Sequence, residues 1–134
     1  MTLLEVLFVL TILAGTGFVL LAKFPHHLQS QRLAQASTQL LEELRDARQA
    51  ALAENTWYQV RFYREGKYYQ VLRGGVLVRN ISLPGGVTFL NRPPDLIFNP
   101  TGAPSIGATI VLRAVNGEEK RVIVAPVAGR IREE

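Results

Sequence analysis

The chain has 134 residues, with fifteen Lys and Arg against eleven Asp and Glu, a net charge of +4 and no cysteine. That length holds one ordinary domain and not two. A hydrophobic content of 48% with 19% charge excludes a disordered chain and a polytopic membrane protein. The lack of cysteine excludes disulfide staples, thiol nucleophiles and thiolate metal sites. From Trp57 onward eleven cations face six anions, and between Arg61 and Arg92 six cations meet Glu65 alone. Such a balance either attracts polyanions and anionic surfaces or serves as a plain solubilising surface.

The first stretch, "MTLLEVLFVLTILAGTGFVLLAKF", is apolar, small or hydroxylated from Thr2 to Ala22 except at Glu5. As a helix it is long enough for a hydrocarbon core of about 30 Å. A cleaved secretory signal is a poor description, since the first side-chain cation is Lys23 and no small-x-small cleavage site follows. A plain single-pass anchor leaves Glu5 unexplained. An acidic side chain at the centre of a membrane helix costs about 2.5 to 3.5 kcal/mol. Either Glu5 snorkels to the headgroups, one turn from the terminus, or it has a partner that arrives on assembly.

Gly15 and Gly17 weaken the helix by about 1 kcal/mol each relative to alanine. Pro25 is expected to kink or interrupt it. His26 and His27 are adjacent, so they diverge on a helix and chelate poorly. From Leu28 to Asn55 the pattern is amphipathic: Leu33, Leu40, Leu44, Ala47 and Ala51 share one face, and Glu42, Glu43, Arg45, Asp46 and Arg48 occupy much of the rest. The helix should end near Asn55-Thr56, where "TWYQVRFY" switches to a period of two.

Strands follow in succession: "YYQVLR" after the turn "REGK", "VLVRNISL" after Gly74-Gly75, "VTFLN" after Pro84-Gly85-Gly86, and "LIFN" after Pro93-Pro94. "TIVLRAV" and "EEKRVIVA" flank Asn116-Gly117, a dipeptide that signals a type I′ hairpin. The expected fold is α+β, a long N-terminal helix packed on a C-terminal antiparallel sheet. Residues 1–24 are expected to form a transmembrane helix, which the resemblance named below also makes a filament-core helix, 25–55 an amphipathic helix and 56–134 the sheet region.

"MTLLEVL" resembles the mature start of type IV pilins and type II secretion pseudopilins, with Glu5 at the family's glutamate position. Three further stretches resemble the GspH/FimT group of minor pilins and pseudopilins. "ELRDARQAALAENT" carries Ala47, Arg48 and Ala51 as an Ala-Arg-x-x-Ala core; "LIFNPTGAP" places Phe98 and Gly102 as Phe-x-x-x-Gly; "GRIR" supplies Gly129, Arg130 and Arg132 as Gly-Arg-x-Arg. The resemblance implies a leader removed by a prepilin peptidase, an N-methylated terminus at Met1 and Glu5 neutralising the terminal amine of a neighbouring subunit. Beginning without a leader, the sequence is expected to be either already mature or trimmed to look so. It further implies partnership with other pilins through the N-terminal helix, single-pass residence in the bacterial cytoplasmic membrane with an extracytoplasmic C-terminal domain, and entry into a pilus or pseudopilus.

In the FimT branch the C-terminal motif is associated with binding double-stranded DNA during natural transformation. On a strand, Arg130 and Arg132 would share a face about 6 to 7 Å apart, close to the spacing of successive phosphates. Gly129 would allow a sharp bend. Equally, the two arginines could pair with Glu118, Glu119, Glu133 or Glu134 and close the sheet. No nucleophile, base, paired-carboxylate or metal pattern emerges, and Walker, dinucleotide and zinc signatures are missing, so the chain is read as neither an enzyme nor a cofactor binder. Three roles remain: a minor type IV pilin that primes a pilus and contacts DNA, a type II secretion pseudopilin that never touches DNA, and an anchored binding domain that does not polymerise.

Overall fold

A computed structural model describes the backbone of residues 1–134 and every side chain except those of Leu20, Ala22, Lys23 and Phe24. One helix, α1 (Leu3–Glu54), runs without interruption through Pro25. Of the kink or interruption expected there, the interruption does not occur. Proline removes a single backbone bond from a helix of 52 residues, and the turns on both sides carry the helix across the gap. At its far end the helix stops where its period ends. Asn55 adopts the left-handed conformation (φ 48°, ψ 43°) and returns its N–H to the carbonyl of Ala51, an asparagine version of the usual glycine cap.

Two environments divide this helix. The side chains described from Met1 to Val19 are exposed almost throughout. Beyond Leu28, Leu33, Ala36, Leu40, Leu44, Ala47 and Ala51 are buried in one stripe, the five anticipated from spacing among them. Among the described residues no helix is long and apolar enough to cross a membrane. The described apolar run stops at Val19, short of the roughly 20 residues a span requires, and the expected span over 1–24 falls in part on the undescribed side chains.

Eight strands follow: β1 (Tyr58–Tyr63), β2 (Tyr68–Arg73), β3 (Val76–Ser82), β4 (Val87–Phe89), β5 (Leu96–Phe98), β6 (Ala108–Ala114), β7 (Glu119–Val124) and β8 (Ile131–Glu133). They form two antiparallel four-stranded sheets in the orders β3-β2-β1-β5 and β4-β6-β7-β8, so the single sheet anticipated is in fact two. The split is topological. β4 skips its neighbour in sequence to pair with β6, and β5 returns to pair with β1.

Strict alternation along β6, where Ala108, Ile110, Leu112 and Ala114 point inward, puts the second sheet against the helix stripe. Tyr58, Val60, Tyr69, Val71, Leu96 and Phe98 do the same from the first sheet. The β6–β7 hairpin also differs from expectation. Only Gly117 has positive φ (90°), and the Ala114 carbonyl accepts from Gly117 N–H. Such a loop is a three-residue turn with a glycine bulge rather than a type I′ turn.

Candidate functional site: the clasp beneath Gly-Arg-x-Arg

Three segments far apart in sequence meet at the distal end of the domain. From the helix, Arg48 donates through Nε to the carbonyl of Gly102 (3.0 Å) and through a terminal nitrogen to that of Ala128 (3.3 Å). Gly129 is buried with φ +58°, and a Cβ there would stand 2.9 Å from both Arg48 Nε and the Gly102 oxygen. Glycine is therefore required twice, for the backbone conformation and for the close approach. Gly102 also has positive φ (77°) and lies against Leu52, with Phe98 fully buried below. The three weak sequence signatures, Ala-Arg-x-x-Ala, Phe-x-x-x-Gly and Gly-Arg-x-Arg, thus form one clasp with the Arg48 guanidinium as its pin.

Two further helix side chains hold the last strand. Arg45 donates to the Ile131 carbonyl at 3.2 Å. Ser37, fully buried, donates to Glu133 at 2.9 Å, and Lys120 meets the same carboxylate oxygen at 2.6 Å. Burial raises the Glu133 pKa, but the hydrogen bonds from Lys120 and Ser37 and the Lys120 charge outweigh it, so the carboxyl titrates below its ordinary range. Sequence reasoning missed Ser37 and Glu133 as partners. A serine among the apolar positions of the stripe was the available signal, because a buried hydroxyl needs an acceptor.

The clasp sets the two arginines of the motif. Arg130 precedes β8 and Arg132 lies within it, opposite Ile123. Both are exposed and line one open groove of about 590 Å³ with Thr109, Ile123 and Pro126. Arg132 pairs with Glu134 at 2.9 Å, whereas Arg130 has no ion pair among the described residues. On the same outward face of the second sheet stand Arg113, paired with Glu119 at 3.5 Å, and Arg121, which exchanges backbone hydrogen bonds with Glu134. Four arginines against two glutamates leave this face positive.

The basic stretch from Arg61 to Arg92 behaves differently. Arg61 pairs with Asp95, Arg73 with Glu54, Arg79 with Glu43 and Arg92 with Glu65, at 3.4, 2.7, 3.1 and 3.7 Å. Three of those acids come from outside the stretch, from the helix and the loop before β5. Local charge along the chain therefore overstated the free positive surface.

Met1 and Glu5 lie far from this end, roughly 65 to 70 Å along the helix from Arg48 at about 1.5 Å per residue. Met1 is exposed. Glu5 closes a capping box with Thr2: the Thr2 hydroxyl accepts from Glu5 N–H at 3.3 Å, and the Glu5 carboxylate accepts from Thr2 N–H at 3.5 Å. The Thr-x-x-Glu spacing at residues 2–5 is a capping-box signature that the sequence reading of Glu5 passed over. It supplies a local use for an acid otherwise hard to place.

A family model described as type II transport protein GspH matches residues 36–128. The chain belongs to the GspH family. Its fold is that of the minor pseudopilin EpsH from the type 2 secretion system of Vibrio cholerae, with a TM-score of 0.65 at 15% identity over 77% of this chain and 96% of that one. The type IV minor pilin FimU of Pseudomonas aeruginosa PAO1 is similar in fold at a TM-score of 0.64 and 19% identity, over 78% of this chain and 90% of that one. No curated protein matches the sequence. The match through residue 128 takes in Arg48 and Gly102 of the clasp and stops just before Gly129.

Proposed function

We propose that this GspH-family chain is a minor pilin or pseudopilin that enters or primes a filament and presents a cationic groove for double-stranded DNA. Residues 1–24 act as the membrane anchor and later the filament core, 25–55 as the helix of the pilin domain, and 56–134 as its sheets. Exposed apolar side chains all around the described N-terminal part fit burial in lipid or among neighbouring helices, since nothing among the described residues covers them. Met1 is the methylated terminus left by prepilin peptidase. Glu5 exchanges its bond to Thr2 N–H for the terminal amine of an adjacent subunit, which sets axial register because an unpaired buried acid is strongly penalised. Before assembly the protein resides in the bacterial cytoplasmic membrane with its domain outside.

The observation that carries the DNA reading is Arg130, exposed in an open groove beside Arg132 and free of an acidic partner among the described residues. The Arg48 clasp holds its backbone, so little ordering is needed when a phosphate arrives. Contact of this kind is sequence-tolerant and falls steeply with salt. A second reading, a type II secretion pseudopilin without DNA contact, is favoured by the description of the family and by the likeness to EpsH.

Titration of the full chain in detergent with a short duplex at several salt concentrations separates the two. The DNA reading expects binding that Arg130→Gln/Arg132→Gln weakens, with a salt slope shallower by about 0.9 per lost phosphate contact. Silence of both proteins at low salt leaves the secretion role.

A further inference from the structure

We propose that the free edge of β3 receives, by strand addition, an extended segment of a different protein that carries a carboxylate among alternating apolar residues. Each sheet has two edges, and three of the four are short. β4, β5 and β8 are three residues long. The outer side of β5 is moreover taken up by the chain itself: Ser105 N–H donates to the Ile97 carbonyl at 2.7 Å and Asn99 N–H to that of Ala103 at 2.9 Å, with a bridge between Phe98 and Pro104.

β3 is the exception. It spans seven residues, pairs only with β2, and contains neither proline nor glycine; its one irregularity is a bulge that leaves Val78 unpaired between the Val71–Arg79 and Leu72–Leu77 pairs. Every residue but Ile81 is exposed, with Val76, Leu77 and Val78 at 70%, 52% and 50%. Trp57, 38% exposed, lies beside Gly75 at the same end of the sheet. An open, apolar strand edge is a template for another strand, and natural proteins shield such edges unless they use them. Tryptophan and arginine around an aliphatic centre are also the residue types that dominate binding energy at interfaces.

Charge decides which strand fits. Of the cations near this edge, Arg73 meets Glu54 and Arg79 meets Glu43 on the helix side, and Lys67 has no ion pair among the described residues. Arg79 sits at the midpoint of β3, with its side chain 43% exposed even while it meets Glu43. A second copy of β3 added antiparallel in full register would set Arg79 opposite Arg79, and like charges directly opposed are unfavourable. The complementary occupant is a strand with an acid at that position, which the β3 of a second copy lacks.

The probe is an acetylated, amidated peptide of sequence Thr-Val-Thr-Glu-Thr-Val-Thr, added to the full chain in detergent and read by amide hydrogen exchange. The proposal expects slowed exchange across Val76–Ser82. A lysine in place of the glutamate should weaken binding by about tenfold. N-methylation of the amides along one peptide edge should abolish binding, while methylation along the other edge leaves it intact, because only one edge can pair. Unchanged exchange at β3, or equal tolerance of both methylated peptides, overturns strand addition. Protection of Val76–Ser82 that rises with protein concentration in the absence of peptide overturns the choice of occupant in favour of a second copy. None of these readouts depends on Arg130 or on DNA.

Discussion

The two halves of α1 are chemically alike in one respect: both are rich in leucine. Their surroundings are opposite. Leu33, Leu40 and Leu44 are each essentially inaccessible beneath two sheets, while Leu3, Leu4, Leu7 and Leu13 stand more than half exposed. The difference lies in what interleaves the apolar residues. Past Leu28 charges and amides occupy the faces that miss the sheet, so one stripe has a defined partner within the chain. Before Val19 the only acid is Glu5, bound to its own first turn, and apolar residues point in every direction. A helix apolar all round needs an external apolar medium, lipid or other helices. One continuous helix therefore joins a segment packed by its own chain to a segment that no other described part of the chain covers.

The sharpest break of that comparison is Leu44→Ala, which should destabilise the domain by about 2 to 5 kcal/mol through a core cavity, read as a fall in the denaturation midpoint. The distal clasp should come next. Gly129→Val puts a branched side chain where φ is +58° and where Arg48 Nε and the Gly102 carbonyl already stand, so a loss of about 3 kcal/mol or more is expected. Arg48→Ala, which leaves the backbone conformation of Gly129 permitted, should cost less, and the comparison of the two melts separates the pin from the glycine.

Glu133→Gln should cost about 1 to 2 kcal/mol by weakening a charge-assisted bond to Lys120. Its pH signature is specific. The folded-state pKa of Glu133 is depressed, so its stabilisation is complete above the ordinary glutamate value near 4.5 and is lost as pH falls through the lower folded value. Wild type and Glu133→Gln should thus converge in stability at acid pH and diverge above it. The smallest effect belongs to the other half of the helix. Leu7→Ala should leave the domain's midpoint within about 0.5 kcal/mol of wild type, because Leu7 touches none of the domain; a large shift would mean the N-terminal half is coupled to the sheets after all.

The buried stripe of α1 was legible because helical spacing is a local property: 3.6 residues per turn puts Leu33, Leu40, Leu44, Ala47 and Ala51 on one side whatever they meet. The same holds for the strands around "YQVRFY" and "TIVLRA", and for the Asn55 cap. Division into two sheets was not legible, because partner choice among antiparallel strands depends on how β4 and β5 cross between layers, which no local period encodes. Nor was the pairing of Arg61, Arg73 and Arg79, whose acids arrive from other elements.

The amino-acid order by itself determined the long helix, its apolar first part, the all-antiparallel remainder and the presence of Gly-Arg-x-Arg, since each depends on neighbours within a few residues. Only the tertiary structure decided which arginine of that motif stays unpaired, that Arg48 and Gly102 belong to the same clasp as Gly129, and that β3 is the long sheet edge left open. The clasp depends on contacts between residues 54 and 80 positions apart, and such distances are fixed by the packing of one shared core rather than by any local stretch of sequence.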